Sequence, residues 1–174
     1  MNYVALLRGI NVGGKTLKMA DAKKAFEALG FRDLKTIGAS GNILFSSDDR
    51  RADNLESKIK SSLNTAAIVR TVDALRALIS SNPFKSVKVT DTTRLNVTFL
   101  SVPTQSKTPL ALPYTSPNKI FRVLNVTPTE IITVVDLSTG GSTLDAMEFL
   151  DKQFGKGLTT RTWNTIQKLA APQK

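Results

Sequence analysis

Apolar positions open the chain as a short unbroken run, Tyr3 to Leu7, which predicts a strand over Asn2 to Arg8. Met19, Ala22, Phe26 and Leu29 then recur at helical spacing, with Lys23, Lys24 and Glu27 on the other side. They predict a helix over Met19 to Leu29, stopped by Gly30. Asp33 to Ile37 reads as a short strand, Ser40-Gly41-Asn42 as a turn, and Ile43 to Ser46 as the returning strand of a hairpin. Asp48 and Asp49 offer an N-cap to a helix over Ala52 to Leu63, whose buried stripe is Leu55, Ile59 and Leu63. Ala66 to Val72 is a further strand. The order is βαββαβ, a ferredoxin-like unit.

The second half has a different rhythm. Asp73 caps a short helix over Ala74 to Ser80, ended by Asn82-Pro83. Leu95 to Leu100 alternates as a strand should. Pro103, Pro109, Pro113 and Pro117 make 102–118 the longest irregular stretch. Lys119 to Asn125 and Glu130 to Leu137 read as an antiparallel pair turned at Val126 to Thr129. Ser138 to Ser142 is a turn. Thr143 to Phe154 is a helix burying Leu144, Met147, Leu150 and Phe154, broken by Gly155 and Gly157. Thr159 or Thr160 caps a last helix, Arg161 to Ala171. The fold expected is α+β: a ferredoxin-like subdomain over 1–80, then a second α+β subdomain over 81–174 with antiparallel strands and two C-terminal helices, the last of them basic.

Composition mainly removes chemistry. The chain of 174 residues has no cysteine and no histidine, so thiolate catalysis, cysteine or histidine metal sites and a Ser-His-Asp triad are all excluded. Any catalysis would run on Asp, Glu, Lys, Tyr, Ser or Thr, or on a carboxylate-held Mg²⁺, and no catalytic residue stands out. No metal site and no cofactor is expected. No apolar stretch approaches the ~18 residues that span a membrane, and no signal peptide is visible, so the cytoplasm is the expected compartment.

Net charge is +10, and eight of those charges fall at the two ends. Arg8, Lys15 and Lys18 lie in residues 1–20 with no acid. Lys152, Lys156, Arg161, Lys168 and Lys174 lie in residues 152–174, again with no acid. A charge of this sign points to an anionic partner, nucleic acid or a phosphate-bearing small molecule; a merely solubilising surface is the other reading.

Gly9 to Thr16 fits the phosphate-loop pattern G-x-x-x-x-G-K-[ST], and Ile131 to Asp136 mimics the apolar strand and metal-holding aspartate that accompany it. Only four positions are fixed, so average residue usage produces the match in ~1% of chains this long. That loop also needs a parallel sheet and a helix beginning at the lysine. Here hairpins dominate, and the amphipathic stripe begins near Met19. The match is read as incidental; an enzyme acting on a nucleotide or phosphorylated substrate through Gly9 to Thr16 remains the alternative to a binding protein.

Other candidates are weighed against structural roles. On the last helix Trp163, Ile166 and Ala170 share a core side, while Arg161, Asn164 and Lys168 share another that presents two cations and an amide. Arg8 can clamp a phosphate or pair with an acid. Asn11 and Asn42 can bridge loops, and Asn42 suits a turn better. An RNA-recognition module shares the βαββαβ order but needs aromatics on its central strands, where only Tyr3 and Phe45 stand. Asp48, Asp49 and Asp53 suit helix capping better than Mg²⁺.

Several blocks carry a family resemblance: Ala5-Leu6-Leu7-Arg8-Gly9-Ile10-Asn11-Val12-Gly13-Gly14-Lys15, Leu29-Gly30-Phe31, Ser40-Gly41-Asn42-Ile43-Leu44-Phe45, Asn82-Pro83-Phe84 and Thr160-Arg161-Thr162-Trp163-Asn164-Thr165 with Lys168-Leu169. With Met19 at the helix start, they resemble domain-of-unknown-function family 1697, uncharacterised and mostly bacterial. The resemblance implies an α+β fold of ferredoxin-like character and no known activity. Thr16, Ala39 and Thr162 depart from the family, which more often has Asn, Gln and Asn there. The reading that results is a binding protein for a phosphate-bearing ligand, nucleic acid first, with Arg8, Gly9, Asn11, Gly13, Gly14, Lys15, Asn42, Arg161, Asn164 and Lys168 as its ligand-binding residues.

Overall fold

Tyr3 to Leu7 is buried at every position, so the first strand lies at the centre of a sheet rather than on its surface. The computed structural model describes residues 1–10, 16–101 and 107–172. The chain packs as two units, Met1–Ser80 with Thr165–Lys174, and Ser81–Asn164. Each mixes helices with an antiparallel sheet.

The first unit contains β1 (Asn2–Leu7), α1 (Met19–Ala28), β2 (Arg32–Thr36), β3 (Asn42–Ser46), α2 (Ala52–Leu63), β4 (Ala67–Thr71) and α3 (Val72–Ser80). The strands lie in the order β2-β3-β1-β4, every pair antiparallel. Alternation sends Tyr3, Ala5 and Leu7 to one face, where Phe26 of α1 and Leu55 and Ile59 of α2 meet them. Phe45 organises this core: it stacks on Phe31 at 4.6 Å and Tyr3 at 5.5 Å and meets the edge of Phe26 at 5.4 Å. Val4, Leu6, Leu44 and Ile68 point to the opposite face and are buried too; α3 packs beside β1 and β4.

Both rims of this sheet carry particular chemistry. At the β4 rim the Val69 N–H donates to Glu56 Oε1 at 2.8 Å, and the Val69 carbonyl accepts from Arg70 Nη1 at 3.0 Å. Burial pushes the Glu56 carboxyl above its ordinary range, against the pull of that bond. At the β2 rim the register shifts between Arg32 and Lys35, and Asp33 takes a left-handed φ of 54°.

The second unit has β5 (Thr93–Leu100), β6 (Tyr114–Thr115), β7 (Phe121–Val126), β8 (Glu130–Asp136), a 3-10 turn at Leu137–Thr139, α4 (Thr143–Phe154) and β9 (Leu158–Thr162). Its strands run β6-β7-β8-β5-β9, again antiparallel. Phe121, Val123, Ile131 and Val135 pack with Ala146, Leu150 and Phe154 of α4. The last helix, α5 (Trp163–Ala170), starts in this unit, and its remainder, from Thr165, belongs to the first.

Four expectations are corrected. Residues 158–162 form strand β9 rather than a cap and helix start: the β-branched threonines suit a pleat, and Thr160 Oγ1 meets Thr98 Oγ1 of β5 at 2.7 Å. The buried ridge of α4 is Ala146, Leu150 and Phe154, while Leu144 is 65% and Met147 37% exposed. A Ser142–Asp145 capping box fixes the helix phase, which brings the small Ala146 to the core. Asn42 is no turn residue; it begins β3 and is fully buried. Asp48 and Asp49 do not cap α2, whose N-cap is Arg51. Asp48 instead pairs with both terminal nitrogens of Arg32, and Asp49 accepts from the Arg51 N–H and from Lys58.

Gly41 is the most closely packed of the described glycines in the first unit. It has φ +72°, and a Cβ there would meet Ile10 Cδ1 at 2.5 Å and Leu7 Cβ at 2.9 Å. Gly30 has φ +77° in open space. Gly41→Ala is therefore expected to lower unfolding free energy by roughly 2–4 kcal/mol, against about 1 kcal/mol for Gly30→Ala, as read from urea denaturation.

Asp145 gives a pH test. The Ser142 backbone N–H and hydroxyl hold its carboxyl below the ordinary range. A depressed folded-state value contributes stability above the unfolded value, roughly pH 4, and loses it as pH falls through the folded one. Thermal melts of Asp145→Asn are expected to show a lower Tm at neutral pH and a shallower decline below about pH 4.

Candidate functional site

The end of β1 gathers three of the sequence-predicted residues. Register places Leu6 opposite Asn42, and the Leu7 N–H donates to the Gly41 carbonyl at 2.8 Å. Arg8 follows, half-buried, its N–H bound to the Ala66 carbonyl at 2.8 Å. Gly9 is exposed with φ +62°. Ile10 then reaches back over Gly41. The Asn42 side chain donates from Nδ2 to the Ile37 carbonyl at 3.0 Å, so it braces the turn beneath the loop from a buried position. Asn11, Gly13, Gly14 and Lys15 lie outside the described residues.

The remaining predicted residues do not share one helical face. Asn164 and Lys168 are exposed on α5. Arg161 belongs to β9 and is 8% exposed; its Nη1 donates to Thr159 Oγ1 at 2.7 Å and to the Thr160 carbonyl at 2.9 Å. Burial pulls its guanidinium down to about 10. Trp163 packs edge-on against Phe84 at 5.1 Å, a structural role.

The phosphate-loop match meets two obstacles. β1 sits in an antiparallel sheet, and α1 starts at Met19 with Lys18 as N-cap, beyond Thr16. Asp136, the companion aspartate, accepts at Oδ1 from the Ser138 N–H at 2.9 Å and the Thr92 hydroxyl at 3.1 Å, and these bonds hold its carboxyl low. Base stacking on the first sheet is also ruled out for Tyr3 and Phe45. Both rings lie in the core, and the Tyr3 hydroxyl is bound to the Asp49 carbonyl at 2.9 Å.

Sequence reasoning missed a cavity of about 740 Å³ in the first unit, lined by Asn2, Asp33, Lys35, Leu44, Val72 and Arg76 among others. The bulge in β2 aims it: Asp33 Oδ2 accepts from Ser46 Oγ at 2.5 Å. Arg76 is held by Asp73 at 3.0 Å and by the Ala170 carbonyl at 3.2 Å. One carboxylate and two cations above Leu44 and Val72 suit a small ligand with charges of both signs. The signal in the sequence was Asp33 itself, an aspartate inside a strand pattern.

These two units, each built on an antiparallel sheet, define an α+β protein with clefts but no recognisable catalytic constellation among the described residues. The family model described as "Protein of unknown function (DUF1697)" matches residues 1–125, and the chain belongs to that family. The matched stretch stops short of the Thr160 to Leu169 block. No curated protein matches the chain. Among solved structures it is similar to the conserved bacterial protein SP0830 from Streptococcus pneumoniae, with a TM-score of 0.71 and 19% identity over 97% of this chain and 96% of that one. That likeness extends the shared fold over both units.

Arg161 is held by hydroxyl and carbonyl oxygens in its own strand. Thr159→Val keeps the branched shape and deletes one acceptor. It is expected to cost ~2 kcal/mol in chemical denaturation, because the bond it removes is charge-assisted and buried.

Proposed function

We propose that the protein binds a phosphate-bearing ligand, nucleic acid first, through the loop that leaves β1. The observation carrying this reading is the convergence of Arg8–Ile10 with Gly41 and Asn42, from separate stretches of chain, at the mouth of that loop. Arg8 supplies a fork that can engage a phosphate, and exposed Gly9, with φ +62°, lets the main chain turn there. Asn11, Gly13, Gly14 and Lys15 continue the same basic, glycine-rich segment. Asn164 and Lys168 offer further exposed contacts, whereas buried Arg161 serves to hold β9. The net charge of +10 supplies the long-range attraction.

The same reading takes the first unit as ferredoxin-like. Its βαββαβ order and the strand order β2-β3-β1-β4 support this. Because both faces of that sheet are buried, a nucleic acid would be held at the loop end and not across the strands.

Fluorescence anisotropy with single- and double-stranded DNA and RNA, titrated over salt, tests the reading. Affinity at low salt is expected to fall steeply with ionic strength, and Arg8→Ala is expected to reduce the logarithmic salt slope by about 1. Absence of low-salt affinity, or indifference to both Arg8→Ala and Lys15→Ala, would sink it.

A further inference from the structure

The second unit holds a cavity of about 330 Å³ that no sequence motif announced. Strand register builds it. Thr115 of β6 lies opposite Arg122 of β7, and Arg122 lies opposite Val134 of β8, so the three form a row on one face. Lys119 arrives from the turn between β6 and β7, where its N–H closes on the Ser116 carbonyl at 2.8 Å and its φ is 59°. Lys88 comes from the segment before β5, and Asp136 from the end of β8. Ile120 and Val134 give the cavity an apolar side.

The charges here are unbalanced. Among the described residues Lys88, Lys119 and Arg122 make no ion pair and no side-chain hydrogen bond. Among the described lining residues Asp136 is the single acid, and its Oδ1 is already occupied by the Ser138 N–H and the Thr92 hydroxyl. Three exposed cations and one carboxylate line this half-open cleft, which leaves a surplus of two positive charges around it. Like charges held together repel, and a bound anion relieves that repulsion. A phosphomonoester carries about −1.5 to −2 at neutral pH, which matches the surplus. Its three free oxygens are acceptors for the Arg122 fork, the two ammonium groups and the Thr115 hydroxyl.

The geometry points to this cavity as a second binding site, for a terminal phosphomonoester whose organic part rests on Ile120 and Val134. It does not depend on the loop at Arg8. The phosphomonoester can belong to a small phosphorylated molecule or to the 5′ end of a nucleic acid strand.

Isothermal titration of the full chain separates these sources and tests the site. Adenosine 5′-monophosphate is compared with adenosine, and a 5′-phosphorylated thymidine oligonucleotide with its 5′-hydroxyl counterpart. The phosphorylated member of at least one pair is expected to bind ~10-fold or more tightly. Preference in the adenosine pair assigns a small ligand; preference confined to the oligonucleotide pair assigns a strand end. Arg122→Ala and Lys119→Ala, both at exposed positions, are each expected to weaken the preferred ligand ~10-fold. Arg8→Ala is expected to weaken both members of the oligonucleotide pair alike and to leave the preference for the phosphorylated member unchanged, so loss of the loop site and loss of this one read differently. Equal binding within both pairs, or full retention of the preference in the Arg122→Ala, Lys119→Ala double variant, overturns the assignment.

Discussion

Burial of β1 and β3 on both faces is the constraint from which the first unit follows. Tyr3 to Leu7 are each at most 1% exposed, and Ile43, Leu44 and Phe45 at most 3%. A strand with no wet face needs cover on two sides. α1 and α2 lie over the aromatic face, and α3 packs beside β1 and β4. Each large side chain so enclosed contributes on the order of 1.5–3 kcal/mol. The same enclosure removes the sheet faces as recognition surfaces, so chemistry is confined to the loop ends and rims. Arg8 to Ile10 and the Asp33 bulge occupy such places.

The parts of the fold that were legible in the sequence are those with a strong period. α2 keeps the bounds its Leu55-Ile59-Leu63 stripe gave it, and both hairpins stand where their turns predict. What stayed hidden lacked a local signal. β9 is five residues with three threonines and no large apolar alternation, so it read as a cap. The α4 stripe slipped because Leu144 and Met147 are more hydrophobic than Ala146, while the core had room for the smaller residue. Asn42 looked like a turn residue; its amide turned out to serve the neighbouring turn from inside a strand.

The candidate sites follow the same division. The basic loop after β1 was readable because its residues are contiguous. The cluster of Lys88, Lys119 and Arg122 was not, because strand pairing and a turn assemble it from separate segments. Total charge was a poor guide to which cations are available. Arg161, counted in the basic terminal stretch, is enclosed with its guanidinium directed at Thr159 and Thr160. Lys88, Lys119 and Arg122 lie in the part of the chain whose charges nearly cancel. Position relative to buried oxygens, more than abundance along the sequence, decides which cations can meet an anion.

The treatment of Val69 by Glu56 and Arg70 has a consequence for how copies of this chain meet one another. An outer strand with vacant amides and carbonyls is a template on which another chain can add itself, as in amyloid growth or strand exchange. Here the outward N–H and carbonyl of Val69 are both occupied by side chains of the same unit. At the opposite rim the Asp33 kink interrupts the regular spacing that an incoming strand would have to match. The first sheet thus has Val69 closed at one border and a kink at the other, which disfavours addition of a further strand at either place and acts in the same direction as the mutual repulsion of strongly positive copies.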